Sequence, residues 1–124
     1  MSVVHAGDAE VHEMHGATFT SYVAPRTGSG ELCAWRLDIK PDTTGVAHSV
    51  TREEVLYLLD GELRVTVEGV THTVIKGDAV LVPAGATLRV DNLGPTTATA
   101  WVSTSVGLEG VLADGTRITP PWVS

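Results

Sequence analysis

The sequence predicts an all-β protein, a sandwich or a barrel built from short strands. It contains about ten short runs of strand-forming residues at close spacing. Gly, Pro, Asn and Asp punctuate these runs, as turn residues do between strands. No apolar pattern of helical period persists along the chain. A length of 124 residues is near the commonest domain size, so we expect residues 1–124 to form one domain.

Side-chain alternation and turn residues place the individual strands. The clearest strand runs from Leu32 to Ile39, where every second residue from Cys33 onward is apolar. Similar runs predict the other main strands: Phe19 to Val23, Val55 to Leu59, Glu62 to Val67, Val70 to Ile75, Ala79 to Val82, Thr87 to Val90 and Thr97 to Ser105. The ends are less patterned, and there we expect short strands at Ser2 to His5, near Val11 and at Thr116 to Ile118 in an otherwise irregular tail.

The composition excludes several classes of function. The chain has 15 Asp and Glu against 8 Lys and Arg, a net charge of -7, which disfavours binding to nucleic acid or anionic lipid. No apolar run approaches the ~20 residues of a membrane span, and the N-terminus lacks a run suited to a signal peptide. Cys33 is the only cysteine, so no intrachain disulfide can form. We therefore expect a cytoplasmic protein with no nucleic-acid or membrane partner.

Two segments resemble the two motifs of the cupin family. The first, residues 45–61, reads GVAHSVTREEVLYLLDG, and alignment on Glu54 and Gly61 places His48 at the first histidine of the motif. The second, residues 77–92, reads GDAVLVPAGATLRVDN and matches its motif at four positions: Gly77, Pro83, Gly85 and Asn92. The chain thus resembles a small single-domain cupin of the RmlC-like type. That resemblance implies a double-stranded β-helix, the jelly-roll barrel.

The resemblance also implies where a metal would bind. In cupins that carry metal, two histidines and the glutamate of the first motif, with the histidine of the second, hold one ion. Here His48 and Glu54 occupy two of these positions, whereas Val50 and Leu88 occupy the other two. Two protein ligands leave most of the coordination sphere to water. We therefore expect either no cofactor or a weakly bound divalent transition metal.

A third imidazole would strengthen such a site. His72 shares a strand face with Val74, and if that apolar face points inward the metal ligands would be His48, Glu54 and His72. The alternative, which we favour, is that His72 lies near a strand end, hydrogen-bonded or solvated. The three remaining histidines are expected at the surface: His5, His12 and His15.

The catalytic candidates are His48 and Glu54. Glu54 shares the parity of Leu56 and Leu58, which predicts that it faces inward and that Glu53 faces solvent. A buried carboxylate needs a partner, and His48 is the expected one. Such a pair could serve as a general acid or base without metal. His48 is equally consistent with a core histidine satisfied by a neighbour.

The remaining site candidates are apolar or aromatic. Val50 and Leu88 stand where ligands are expected, and Val90 shares the face of Leu88. Tyr57 and Trp101 are expected either to line the mouth of the barrel or to pack under an interface. All five are predicted to contact substrate: Val50, Tyr57, Leu88, Val90 and Trp101.

Three functions fit these features. The chain could be a cupin that binds, or binds and transforms, a small organic molecule in the barrel with weak or no metal binding. It could be a metal-dependent isomerase, cyclase or oxygenase, as the resemblance implies. It could also be a non-catalytic ligand-binding or scaffold cupin, so whether it is an enzyme stays open. Strand faces rich in Val and Leu predict that the protein forms a homodimer.

Overall fold

Two antiparallel six-stranded sheets face each other in the computed structural model, which describes residues 2–124. The first sheet has the order β1-β2-β3-β10-β5-β8, and the second has the order β12-β11-β4-β9-β6-β7. The strands are β1 (Glu10–Met14), β2 (Ala17–Val23), β3 (Leu32–Ile39), β4 (His48–Val50), β5 (Glu54–Asp60), β6 (Glu62–Val67), β7 (Val70–Ile75), β8 (Ala79–Val82), β9 (Thr87–Asp91), β10 (Ala98–Ser105), β11 (Gly110–Val111) and β12 (Arg117–Ile118). The described residues also include three short 3₁₀ helices, Ala6–Asp8, Pro25–Thr27 and Pro121–Val123.

This architecture confirms the predicted jelly roll, and the inward faces of the two sheets form its core. On β3 Cys33, Trp35 and Leu37 are buried and Arg36 is exposed, as alternation predicts, although Ala34 on the outer face is buried as well. Leu58 and the other buried residues of β5 face the same interior. Apolar side chains from both sheets thus meet between them, which is the driving force for closing the sandwich.

The N-terminal region differs from the sequence prediction. Residues 2–5 form no strand, and Ala6–Asp8 is a 3₁₀ helix instead. The expected strand near Val11 is present but belongs to a hairpin, in which β1 pairs with β2 around His15 and Gly16. Both turn residues have positive φ, 50° and 79°, as a two-residue turn that matches strand twist requires.

Two residues of the motif segments hold the backbone rather than a ligand. A Cβ at Gly45 would overlap the carbonyl oxygen of Val90, so only glycine allows these two backbone segments to approach so closely. Asn92 is fully buried, and its Nδ2 donates to the carbonyl oxygens of Ile39 and Thr96, each at 2.9 Å. The motif resemblance at these positions therefore reports the fold.

Within residues 2–124, no helix has the length and apolar character that crossing a membrane would require.

Candidate ligand-binding cavity

A cavity of about 340 Å³ lies between the two sheets. Its wall is formed mainly by aliphatic side chains from the inner faces of both sheets, among them Leu37, Ile39, Leu56, Val65, Val82 and Val102. Strands from opposite sheets contribute because alternate residues of each strand point inward. The cavity is therefore a gap left in the hydrophobic core, and its volume falls in the range of ligand pockets.

Two of the aromatic rings on the wall come from β2 and from the C-terminal tail. Phe19 of β2 and Trp122 of the last 3₁₀ helix stack with ring centroids 3.7 Å apart and an angle of 9° between their planes. The tail is held in place because Ser21 Oγ donates to the carbonyl oxygen of Trp122 at 2.8 Å. Pro120 and Ile118 of the tail also line the cavity.

Glu54 supplies the one carboxyl group on the wall within residues 2–124. It begins β5, is 8% exposed and points inward with Leu56 and Leu58, as alternation predicts, while Glu53 is exposed. No described side chain or backbone N–H donates a hydrogen bond to its carboxyl oxygens, and burial raises the pKa of this carboxyl to about 7. The group therefore changes protonation near neutral pH inside an apolar wall.

His48 lies on the same wall but does not pair with Glu54. The ion pairs of the described residues do not include one between these two side chains, so the predicted pair is wrong. Instead, His48 Nδ1 lies 2.9 Å from the carbonyl oxygen of Val46. A carbonyl can only accept, so Nδ1 donates to it, and Nε2 is an acceptor in the tautomer that carries its proton on Nδ1.

The two aliphatic replacements also line the cavity. Val50 and Leu88 are 2% and 6% exposed, and Leu88 lies directly opposite His48 in the β4 and β9 pairing. Val90, half-buried, lines the cavity from the same strand as Leu88. Methyl groups thus stand where the cupin motifs lead one to expect imidazoles.

Three other candidates lie outside the cavity. His72 is exposed, as its favoured alternative expects, and the inward position required of a metal ligand is corrected: β7 is an edge strand, and little covers its inner side except at Val74. Tyr57 and Trp101 face each other across β5 and β10 on the outer surface, 40% and 36% exposed. They do not line the barrel, and the interface alternative for them stays a prediction.

Sequence reasoning missed several wall residues. His15 was expected at the surface, but although exposed it lines the rim of the cavity from the β1–β2 turn. Trp122 lies in a tail without periodicity, so no sequence signal pointed inward. Trp35 also borders the cavity, and its buried Nε1–H has no acceptor among residues 2–124. His12 does not line the cavity. Its Nε2 lies 2.9 Å from Glu10 Oε1, but the geometry does not meet that of a hydrogen bond.

The sequence pattern of the Cupin domain family matches residues 35–105, more than half of the chain. The protein is a cupin. A comparison with curated protein sequences found no match.

Solved structures agree with this assignment of the fold. The cupin is similar to the polyketide cyclase RemF from Streptomyces resistomycificus, with 19% identity, a TM-score of 0.75, and coverage of 85% of this chain and 79% of that one. It is also similar to an RmlC-like cupin from Shewanella frigidimarina, with 21% identity, a TM-score of 0.72, and coverage of 85% and 90%. KdgF from Halomonas sp. shows 16% identity, a TM-score of 0.70, and coverage of 84% and 93%. Identities this low indicate a shared fold and no more.

The donor set of this cupin does not fit a transition metal held by protein ligands. Among residues 2–124, no three His, Cys, Asp or Glu side chains gather closely enough to hold an ion. His48 and Glu54 are the two donors left on the wall from the family's four positions, and the exposed His72 does not join them. A structural or catalytic zinc site, by comparison, uses three or four protein ligands. The three-residue set of His48, Glu54 and His72 is therefore corrected.

What remains is an apolar cavity with a carboxyl group and an imidazole acceptor on its wall. The aliphatic surface can exchange water for the body of an organic molecule, and the two polar groups can orient one polar end of it. A carboxyl group with a pKa of about 7 can also take up or release a proton at physiological pH.

Proposed function

We propose that this cupin binds a small, mainly apolar organic molecule inside its barrel. The observation that carries the proposal is the cavity of about 340 Å³ with its almost wholly apolar wall. An engineered apolar cavity of about 150 Å³ holds benzene, so the space here suits a molecule of about two rings. A ligand that covers this wall gains roughly 25 cal/mol for each Å² of apolar surface that it removes from water.

The replacements at the motif positions support the same proposal. At Val50 and Leu88 the wall presents methyl groups where polar donors would require water or metal. Each buried methyl or methylene group of a ligand that contacts such a wall gains about 0.8 kcal/mol on leaving water. The wall thus favours apolar ligands over sugars or small hydrophilic acids.

The structurally similar proteins do not indicate which ligand this cupin binds. Their printed names range from a polyketide cyclase to a predicted oxalate decarboxylase of Thermotoga maritima and a 7S globulin of Momordica charantia. One fold with such diverse names carries no single activity. The proposal therefore depends on the wall of this cavity alone.

Proton transfer to or from the bound molecule is a second candidate function, and the environment of Glu54 favours it. A carboxyl group with a pKa of about 7 is near the optimum for a general acid or base at neutral pH. Under this proposal Glu54 exchanges the proton and needs no metal. Glu54→Gln would then abolish turnover of an identified substrate while the substrate still binds.

The binding proposal is tested by filling the cavity from its wall. Leu88→Phe adds volume inside the cavity, and the matched control Leu81→Phe makes the same change on the outer surface, where Leu81 is 56% exposed. Thermal unfolding is followed with one- and two-ring hydrocarbons, alcohols, amines and acids. A ligand present at 100 times its Kd adds about 2.7 kcal/mol of stability.

We expect at least one two-ring compound to raise the Tm of the wild type and of Leu81→Phe, but not of Leu88→Phe. Circular dichroism confirms that both variants fold. The proposal is wrong if no compound shifts the wild-type Tm, or if the two variants respond alike.

A further inference from the structure

We propose that the ligand of this cavity is a hydrophobic amine, with its ammonium group between Glu54 and His48 and its apolar body against the aromatic wall. This inference rests on the proposed function, because it names the chemical class of the molecule bound in the same cavity. It follows from four features of the wall: the sign of its charge, the direction of its hydrogen-bonding groups, its aromatic rings, and the charge of the whole chain.

The wall offers nothing to neutralise an anion except histidine. Among the described residues, no Lys or Arg lines the cavity, and the ionisable lining groups are Glu54, His15 and His48. A carboxylate or phosphate ligand would therefore be buried beside a carboxyl group, without the guanidinium or ammonium partner that such burial requires. A cationic ligand meets the opposite situation, because Glu54 is an acceptor for which no described residue competes.

The hydrogen-bonding groups that reach the cavity from this pair are acceptors. A carboxylate accepts through both oxygens, and His48 presents Nε2 as an acceptor because its Nδ1–H is donated to Val46 O. The two side chains line one cavity and form no ion pair with each other, so neither occupies the hydrogen-bonding atoms of the other. A primary ammonium carries three N–H donors and no acceptor, so it complements this pair. Trp35 Nε1 is a buried atom without accessible surface, so its N–H is not offered to a ligand.

Aromatic rings supply the surface for the apolar body of the ligand. Phe19, Trp35 and Trp122 line the cavity, and the rings of Phe19 and Trp122 are stacked face to face. The same rings pack against the apolar body of a two-ring ligand. A net charge of -7 on the chain further attracts cations and repels anions during encounter.

The test compares three ligands with one skeleton and different end groups. Binding of 1-naphthylmethylamine, 1-naphthylmethanol and 1-naphthoic acid is measured by isothermal titration calorimetry at pH 8, where the arylmethylamine is still mainly protonated. The corresponding indane series is measured in parallel. The proteins are the wild type, Glu54→Gln, and the control Glu53→Gln, which removes an exposed carboxylate one residue away.

We expect the wild type to bind the amine about 10-fold tighter than the alcohol and to bind the acid most weakly, a preference of ~1.4 kcal/mol for each tenfold step. Glu54→Gln should weaken amine binding about 10-fold and change alcohol binding by less than threefold, and Glu53→Gln should change neither. If the alcohol or the acid binds at least as tightly as the amine, or if Glu54→Gln weakens all three equally, the amine inference is wrong while the binding function stands. If no compound of either series binds, both are wrong.

Discussion

The stability of this cupin should fall as the pH rises through neutrality, and Glu54 should be the cause. Its carboxyl group has an ordinary pKa of 4.5 when exposed in the unfolded chain and a pKa of about 7 when buried in the folded protein. Between these values the folded protein holds a proton that the unfolded chain has released. Raising the pH therefore favours the unfolded chain, so stability is lost from about pH 4.5 to just above pH 7.

The size of the effect follows from the displacement of the pKa. The difference between 7 and 4.5 is about 2.5 units, and each unit corresponds to ~1.4 kcal/mol, so ionisation of Glu54 costs about 3 kcal/mol at pH 8. Glu54→Gln keeps the shape of the side chain but cannot ionise. At pH 4 the two proteins should be similar in stability, and at pH 8 the variant should be more stable by about 3 kcal/mol. For a chain of this length that corresponds to a rise in Tm of roughly 10 °C.

Urea denaturation at half-unit pH intervals from 4 to 8.5 measures this difference directly. The buffers contain a chelator, because a bound divalent cation would favour the ionised carboxylate. Glu53→Gln is the control, since Glu53 is exposed and its removal should leave the pH profile unchanged. The reasoning is refuted if the stability difference between wild type and Glu54→Gln is independent of pH, or if the wild type gains stability relative to the variant as pH rises.

Three further predictions test the backbone, the replaced ligand positions and the outer surface. Gly45→Ala should destabilise the fold by about 3 kcal/mol in urea denaturation, because its methyl group would overlap a backbone carbonyl. Gly30→Ala is the control: a Cβ there has no neighbour within 4 Å, so stability should change by less than about 1 kcal/mol. Equal effects of the two substitutions would contradict the steric argument. The double variant Val50→His/Leu88→His should have four metal-binding side chains on one wall, and in calorimetry it should bind Zn²⁺ at least 100-fold tighter than the wild type. An unchanged affinity would show that these positions do not converge. Tyr57→Glu should convert an expected homodimer into a monomer in light scattering, because the outer sheet surface around it is apolar; a monomeric wild type would refute this.

The strands of the barrel could be predicted closely wherever alternation and turns agree. The bounds of β3, β6, β7 and β8 are those expected from the sequence, since each run is closed on both sides by turn residues or by a change of pattern. The β1–β2 hairpin could not be recognised, because its turn is formed by His15 and Gly16 and not by an Asn-Gly or Asp-Gly pair. Local sequence specifies strands well but specifies unusual turns poorly.

The sequence predicted on which strand face each site residue lies, but not whether that residue is buried. Parity placed Glu54 inside correctly, and the motif positions did so for Val50 and Leu88, because all three lie on strands that the opposite sheet covers. Parity also directed His72 inward, and it does share a face with the buried Val65 opposite it. Its exposure follows from the position of β7 at the edge of the sheet, which depends on strand order. Strand order is a property of the whole chain that alternation within one strand does not contain.

Folding alone does not account for a carboxyl group at position 54. In an apolar wall without a hydrogen-bond donor, its ionised form costs about 3 kcal/mol, and a glutamine or an aliphatic side chain would remove that cost. The same wall has aliphatic groups at Val50 and Leu88, so this interior readily accommodates apolar side chains at neighbouring positions. A residue that lowers stability without a structural partner is expected where a ligand supplies the missing partner. The amine proposed here is such a partner, since its N–H donors would satisfy the carboxylate that the protein itself leaves unpaired.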